Sequence, residues 1–156
     1  MDRYICRAKR VDNDEWVYGY YVSASHFGHS EHLIIKQDTQ YDGGGEFWYM
    51  NVHEVDPDTV CRYIGKEDKC GTPIFESDIC EVNMPYGPFD ENGGYRFETW
   101  TAICEFNQFS AEFICINQYG DIYRWYGTDG YSDDKDENVE VIGNKFDSPE
   151  LLEVTE

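Results

Sequence analysis

Residues 62–82 read RYIGKEDKCGTPIFESDICEV, and the spacing of turn formers and apolar residues in this stretch decides the fold class. The segment KEDKCG is a turn, because Gly71 can supply the left-handed backbone that a tight reversal needs. Gly65, just before it, is a second turn position. Ile74 and Phe75, then Ile79 and Val82, are placed to bury in a core. Asp78 between them can accept hydrogen bonds from backbone amides at a bend between strands. The stretch is a frame of short strands and turns, with Gly65, Gly71 and Asp78 as its structural turn residues.

The same grammar extends in both directions. VDNDE, at 11–15, separates two apolar-rich segments and reads as a hairpin turn, since Asp and Asn tolerate turn geometry. In EWVYGYYVSA, Trp16, Tyr18, Tyr20 and Val22 share one parity and fall on one face of a strand. HLIIKQ and EFWYMNVHEV are further strands around the glycine-rich DTQYDGGG. DPDTV places Asp56 as an N-cap and Pro57 at a first helical position. PYGPFDENGGYRF is a turn-rich insertion. TWTAICEFN and AEFICINQYG form a hairpin across QFS, IYRWYG and VEVIGNKF are later strands, and SPELLE caps a short terminal turn. No internal repeat is present. The expectation is an all-β domain with long loops and minor helix.

At this point a resemblance becomes specific. DPDTVCRYIGKEDKCGTPIFESDICEV resembles the signature of the YopX family of phage and prophage proteins, in which a tyrosine and Thr-Gly precede Asp-Lys-x-Gly and Ile-Tyr-Glu-Gly-Asp-Ile-Val. VEVIGNKFDSPELLE is similar to that family's closing segment, where Ile-Gly-Asn precedes a short Pro-Glu-Leu-Leu tail. RYICRAKRVDNDEWVYGYYV is similar to its opening hairpin. The resemblance implies one small barrel-like domain over residues 1–156, with loop insertions near 23–54 and 83–99, and a homo-oligomer. It brings no reaction and no catalytic set. Two departures from the pattern matter. Ser77 stands where the family has glycine, which argues against a positive φ there, and Cys70 stands where Asn is common, as a loop substitution.

Composition narrows the function classes. The chain has 156 residues, 40% hydrophobic and 17% aromatic, including 13 tyrosines, which suffices for a core and favours pleated structure. No run of about 18 apolar residues spans a membrane, and MDRYICRAKRVD lacks the apolar centre of a signal peptide. The expectation is a protein of the host cell cytoplasm whose six cysteines are thiols. With 32 acidic against 12 basic residues the formal charge is −20. Such a chain repels nucleic acid, because phosphate binding requires Lys and Arg. What it attracts instead is a basic protein surface or metal cations.

Candidate chemistry is sparse. HFGHSEH spaces His26, His29 and His32 by three beside Glu31, so the three imidazoles are candidate metal ligands if the segment is helical; the alternative is a solvated loop. The cysteines form no C-x-x-C pair, and Cys6, Cys104 and Cys115 lie in strand patterns where cysteine serves as a small hydrophobe. DGYSDDKDENVE lacks calcium-loop spacing, and its Asp129, Asp133, Asp134, Asp136 and Glu137 are the candidate acidic binding residues. No phosphate-cradling or nucleophile-elbow motif is present, and no cofactor is expected.

Two functions remain open. The first is a non-enzymatic, phage- or prophage-encoded acidic protein that inhibits a host nucleic-acid-handling or defence protein by imitating DNA charge. The second is an oligomeric small-molecule binder or enzyme whose aromatic clusters, such as FWYM and YRWYG, stack on a nucleotide-like ligand.

Overall fold

A computed structural model describes residues 4–26, 29–41, 46–86, 96–124 and 136–153. These form eleven strands and two 3-10 turns, with no α-helix among them. Contacts divide the chain into two compact units, Met1–Tyr63 and Ile64–Glu156, and each has its own core.

The first unit is an antiparallel meander. β1 (Cys6–Lys9) and β2 (Trp16–His26) pair as Cys6↔Gly19 through Lys9↔Trp16. The expected turn at 11–15 closes them, with the Asp14 amide donating to the Arg10 carbonyl and Asp14 at φ 61°. β3 (His29–Tyr41) pairs with β2, and β4 (Glu46–Glu54) with β3. HLIIKQ and EFWYMNVHEV are strands as their residues predict, so the stretch 23–54, which the resemblance implied to be a loop insertion, is mostly strand. Ala8, Ile34 and Val55 are fully buried, with Val17, Tyr21 and Val60 packed on them. The opposite parity carries Tyr18, Tyr20 and Val22, which stay partly exposed. Asp56 caps the first 3-10 turn (Pro57–Thr59) by accepting from the Asp58 amide at 3.0 Å, as its position ahead of proline predicts. β5 (Cys61–Glu67) pairs with β1 and spans the junction between the units.

In the second unit β5 has β6 (Pro73–Phe75) as its neighbour, and a five-stranded antiparallel sheet runs in the order β10-β9-β8-β7-β11. Its strands are β7 (Asp78–Tyr86), β8 (Arg96–Asn107), β9 (Glu112–Asn117), β10 (Ile122–Arg124) and β11 (Val139–Asn144). The expected β8–β9 hairpin forms across Gln108–Ala111, where the Asn107 carboxamide accepts from the amides of Phe109 and Ser110. The expected insertion near 83–99 is strand at both ends, with Met84↔Glu98 and Tyr86↔Arg96 paired; residues 87–95 lie outside the described residues. The core is Ile74, Cys80, Val82, Ala102, Cys104, Cys115 and Val139.

Among the described residues, each sheet runs between two edge strands and neither closes into a barrel. The barrel-like expectation came from the resemblance alone. Among the described residues, no helix is long and apolar enough to cross a membrane.

Gly71 closes its turn at φ 83°. Gly65 corrects the expectation of a second turn: it lies within β5, where it takes a positive φ of 85° inside a strand. Asp78 is buried and its Oδ2 accepts the Phe75 amide at 2.8 Å. Ser77 corrects the expectation at that position: it adopts φ 67°, held where its amide donates to the Cys104 carbonyl and its carbonyl accepts from Lys145. Backbone pairing on both sides imposes the left-handed geometry that the missing glycine would have adopted freely.

Candidate functional site

The histidines do not gather on one helical face. HFGHSEH closes the β2–β3 hairpin, with His26 the Cα partner of His29. On an extended strand a spacing of three alternates faces, so the helical argument for bringing the rings together does not apply. His32 is committed elsewhere: its Nδ1 and the Tyr21 hydroxyl are hydrogen-bonded at 2.5 Å. The side chains of His26 and His29 lie outside the described residues. Among the described residues, no group of three His, Cys, Asp or Glu side chains is close enough to hold a metal.

Cys61, Cys80, Cys104 and Cys115 are buried, Cys6 is half-buried and Cys70 is exposed, and none of the six is in a disulfide. Cys104 lies directly opposite Cys115 across β8 and β9. Hydrogen bonding to Cys104 and Cys80, together with burial, pushes the Cys115 thiol well above its ordinary range. A thiol so held stays protonated and is a poor nucleophile.

Of the acidic loop, Asp129, Asp133 and Asp134 lie outside the described residues. Asp136 and Glu137 are described, and Asp136 has a structural task. Its Oδ2 accepts from the Tyr123 hydroxyl at 2.8 Å, its Oδ1 from the Asn138 amide at 2.9 Å, and its own amide donates to the Glu67 carbonyl at 2.8 Å. Burial, then the acceptor carboxylate, raises the Tyr123 phenol well above its ordinary pKa. It therefore remains a donor to Asp136 at neutral pH.

Sequence reasoning missed a groove of about 960 Å³ in the second unit. Its floor belongs to the face of β8 and β9 where Ile103 and Ile116 stand opposite each other. One wall is the second 3-10 turn (Pro149–Leu152), which brings Leu151 and Leu152 against it. That turn can settle there because residue 143 is glycine: a Cβ would come within 2.8 Å of Leu151 Cδ1 and 3.1 Å of Ser148 Cβ. Asn144 holds the approach, its carboxamide oxygen accepting the amides of Phe146 and Asp147 at 3.0 Å each. The other end is the turn after β9. Asn117, itself buried, accepts the amides of Tyr119 and Asp121 at 2.9 Å each and donates to the Asp121 carboxylate at 3.1 Å. This fixes Tyr119 and Asp121 at the rim.

The rim is acidic. Glu98, Glu105, Asp121 and Glu153 line the groove, and no Lys, Arg or His is among its described lining residues. Elsewhere in the second unit, Arg124 is paired to Glu112 and Lys69 to Glu140. An apolar floor beside uncompensated carboxylates suits the side chains of Lys and Arg, whose aliphatic stems lie along apolar surface while the charged head stays at the wet rim. The only early sign of this site was the IGN…SPELLE segment, and no local pattern reveals that its turn folds back onto a sheet.

Comparison with known proteins follows the same lines. The family model described as YopX protein matches residues 6–153. No curated protein matches the chain. Among solved structures, the crystal structure of protein EF1440 from Enterococcus faecalis is similar at a TM-score of 0.53 and 18% identity, covering 95% of this chain and 96% of that one. At that identity the likeness is one of fold.

Proposed function

The chain belongs to the YopX family, and we propose that it is a phage- or prophage-encoded binding protein without enzymatic activity. It acts in the host cytoplasm by occupying the basic surface of a nucleic-acid-handling or defence protein. The observation that carries this reading is the charge: −20 over 156 residues, with Arg10, Lys69 and Arg124 each paired to a neighbouring carboxylate. A surface of this sign steers toward basic partners and competes with phosphate for them. Self-association belongs to the same reading, and the partly exposed Tyr18, Tyr20, Val22, Met50 and Val52 of the first unit support it.

Affinity capture from a bacterial lysate tests it. Basic proteins should be retained at low salt, released as salt rises, and displaced by duplex DNA. Retention that is indifferent to salt, or recovery of no basic protein, would refute the reading.

A further inference from the structure

We propose that the groove between the β8–β9 face and the C-terminal 3-10 turn takes an extended peptide segment of the partner, in which an aliphatic side chain is flanked by Lys or Arg. The partner's basic class rests on the reading above; the apolar anchor and the location are added here.

Two properties select this occupant. The carboxylates of Glu98 and Glu105, seven positions apart on β8, and of Glu153, just after the 3-10 turn, stand around the groove, with no cation among its described lining residues. They are matched by positive charges distributed along a chain better than by one small cation. Ile103, Ile116 and Leu152 line the same groove, and a hydrated polycation gains little from such a surface, whereas an aliphatic side chain loses water against it. Energetically dominant contacts in interfaces are buried anchors surrounded by a polar rim, and this groove has that order. It also discriminates: an acidic peptide or a nucleic acid strand meets only like charge there.

The groove is held by short-range structure on each side, the Asn117 turn at one end and the Gly143–Leu151 approach at the other. The site is therefore formed before the ligand arrives, which limits the ordering cost of binding.

The test uses the purified full-length chain and three short synthetic peptides read by fluorescence anisotropy: alternating Lys and Leu, alternating Lys and Ser, and alternating Glu and Leu. The Lys/Leu peptide should bind about tenfold tighter than Lys/Ser, and Glu/Leu should not bind. Glu98→Gln/Glu105→Gln/Glu153→Gln should weaken Lys/Leu binding by about tenfold or more and flatten its salt dependence. Thr101→Arg, at an exposed groove position, removes no packing and should weaken it similarly with an unchanged melting temperature. Equal binding of Lys/Ser and Lys/Leu, unchanged Lys/Leu binding in both variants, or no binding of any peptide overturns the groove assignment. If salt-sensitive capture of basic proteins persists in that case, the basic-partner reading stands; if capture is lost as well, both fall.

Discussion

At the scale of single residues, Asp68 does more than its place in a turn suggests. It is buried, yet its Oδ1 accepts the amides of Cys70 and Thr72 at 2.8 Å each, and its Oδ2 accepts the Val141 amide at 3.0 Å. It thus closes the KEDKCG turn and ties it to β11. Burial pushes its carboxyl up, but the donated hydrogen bonds outweigh that and hold it below its ordinary 3.8. A carboxylate depressed in this way stabilises the fold fully above pH about 4, and the contribution fades as pH falls through the lower folded value. Asp68→Asn would turn an amide NH2 toward the Val141 N–H, so we expect a loss of about 2–3 kcal/mol at neutral pH and a shallower decline below pH about 4 than the unaltered chain shows. Chemical denaturation across that pH range checks both. Gly71→Val should cost about 1–3 kcal/mol, because φ 83° is forced on a β-branched residue; the nearest atom to a new Cβ is 3.9 Å away, so the cost is conformational and not a clash. Ser77→Gly should do the reverse and raise stability by about 0.5–1 kcal/mol, since it relieves a left-handed serine; an unchanged or lower melting temperature contradicts that. Gly71 and Asp78 were legible because a glycine after polar turn formers, or an acid at a bend, has few other uses. Asp68 was not, since its decisive partner lies 73 positions away, and Ser77 was not, since its φ is imposed by pairing to β8.

At the scale of elements, alternation and turn chemistry located most strands because both are local. They found HLIIKQ and EFWYMNVHEV as strands, but not that β3 runs on through Asp38–Tyr41, which pairs from Asp38↔Tyr49 to Tyr41↔Glu46 in a stretch read as glycine-rich loop. The candidate groove escaped them too, because Glu98, Asp121 and Glu153 come from three separate segments. One local device does link sequence to site. Gly143 lets the Pro149–Leu152 turn lie against β11, so the IGN segment and the PELL segment form one unit. Gly143→Val should push Leu151 and Ser148 away. Because Leu151 is partly exposed and Cδ1 is the end of a flexible side chain, the stability loss should be modest, about 1–2 kcal/mol, while the groove wall opens. Amide hydrogen exchange should then accelerate at Leu151 and Glu153, whose amides close the turn on Ser148 and Glu150, and stay unchanged at Cys104 and Cys115. Uniform acceleration across the second unit would show that the glycine serves the whole core instead.

At the scale of the whole molecule, charge is the property that sequence states most directly and fold modifies least, yet the fold sorts the acids into different tasks. Asp68 and Asp78 are buried acceptors within the frame, Asp136 is bound to Tyr123 and Asn138, and Glu98, Glu105 and Glu153 line an open groove. Residues 129–138 hold five carboxylates and one lysine, but neutralising all five would mix two effects, because Asp136 also anchors structure. Asp129→Asn/Asp133→Asn/Asp134→Asn separates them. Removing three negative charges from a long-range field should slow association with a basic partner and flatten its salt dependence, since charges steer an approaching partner over a Debye length of about 8 Å at physiological salt. Stability should be unchanged or slightly higher, because like charges no longer repel. Asp136→Asn alone should do the opposite, costing about 1 kcal/mol where the Tyr123 hydroxyl loses its charged acceptor, with little change in salt slope. Measured association rates between low and physiological salt, set beside melting temperatures for the two variants, decide it. If the triple variant retains the full salt slope, the loop takes no part in recognition and the steering field comes from the groove and the remaining acidic surface.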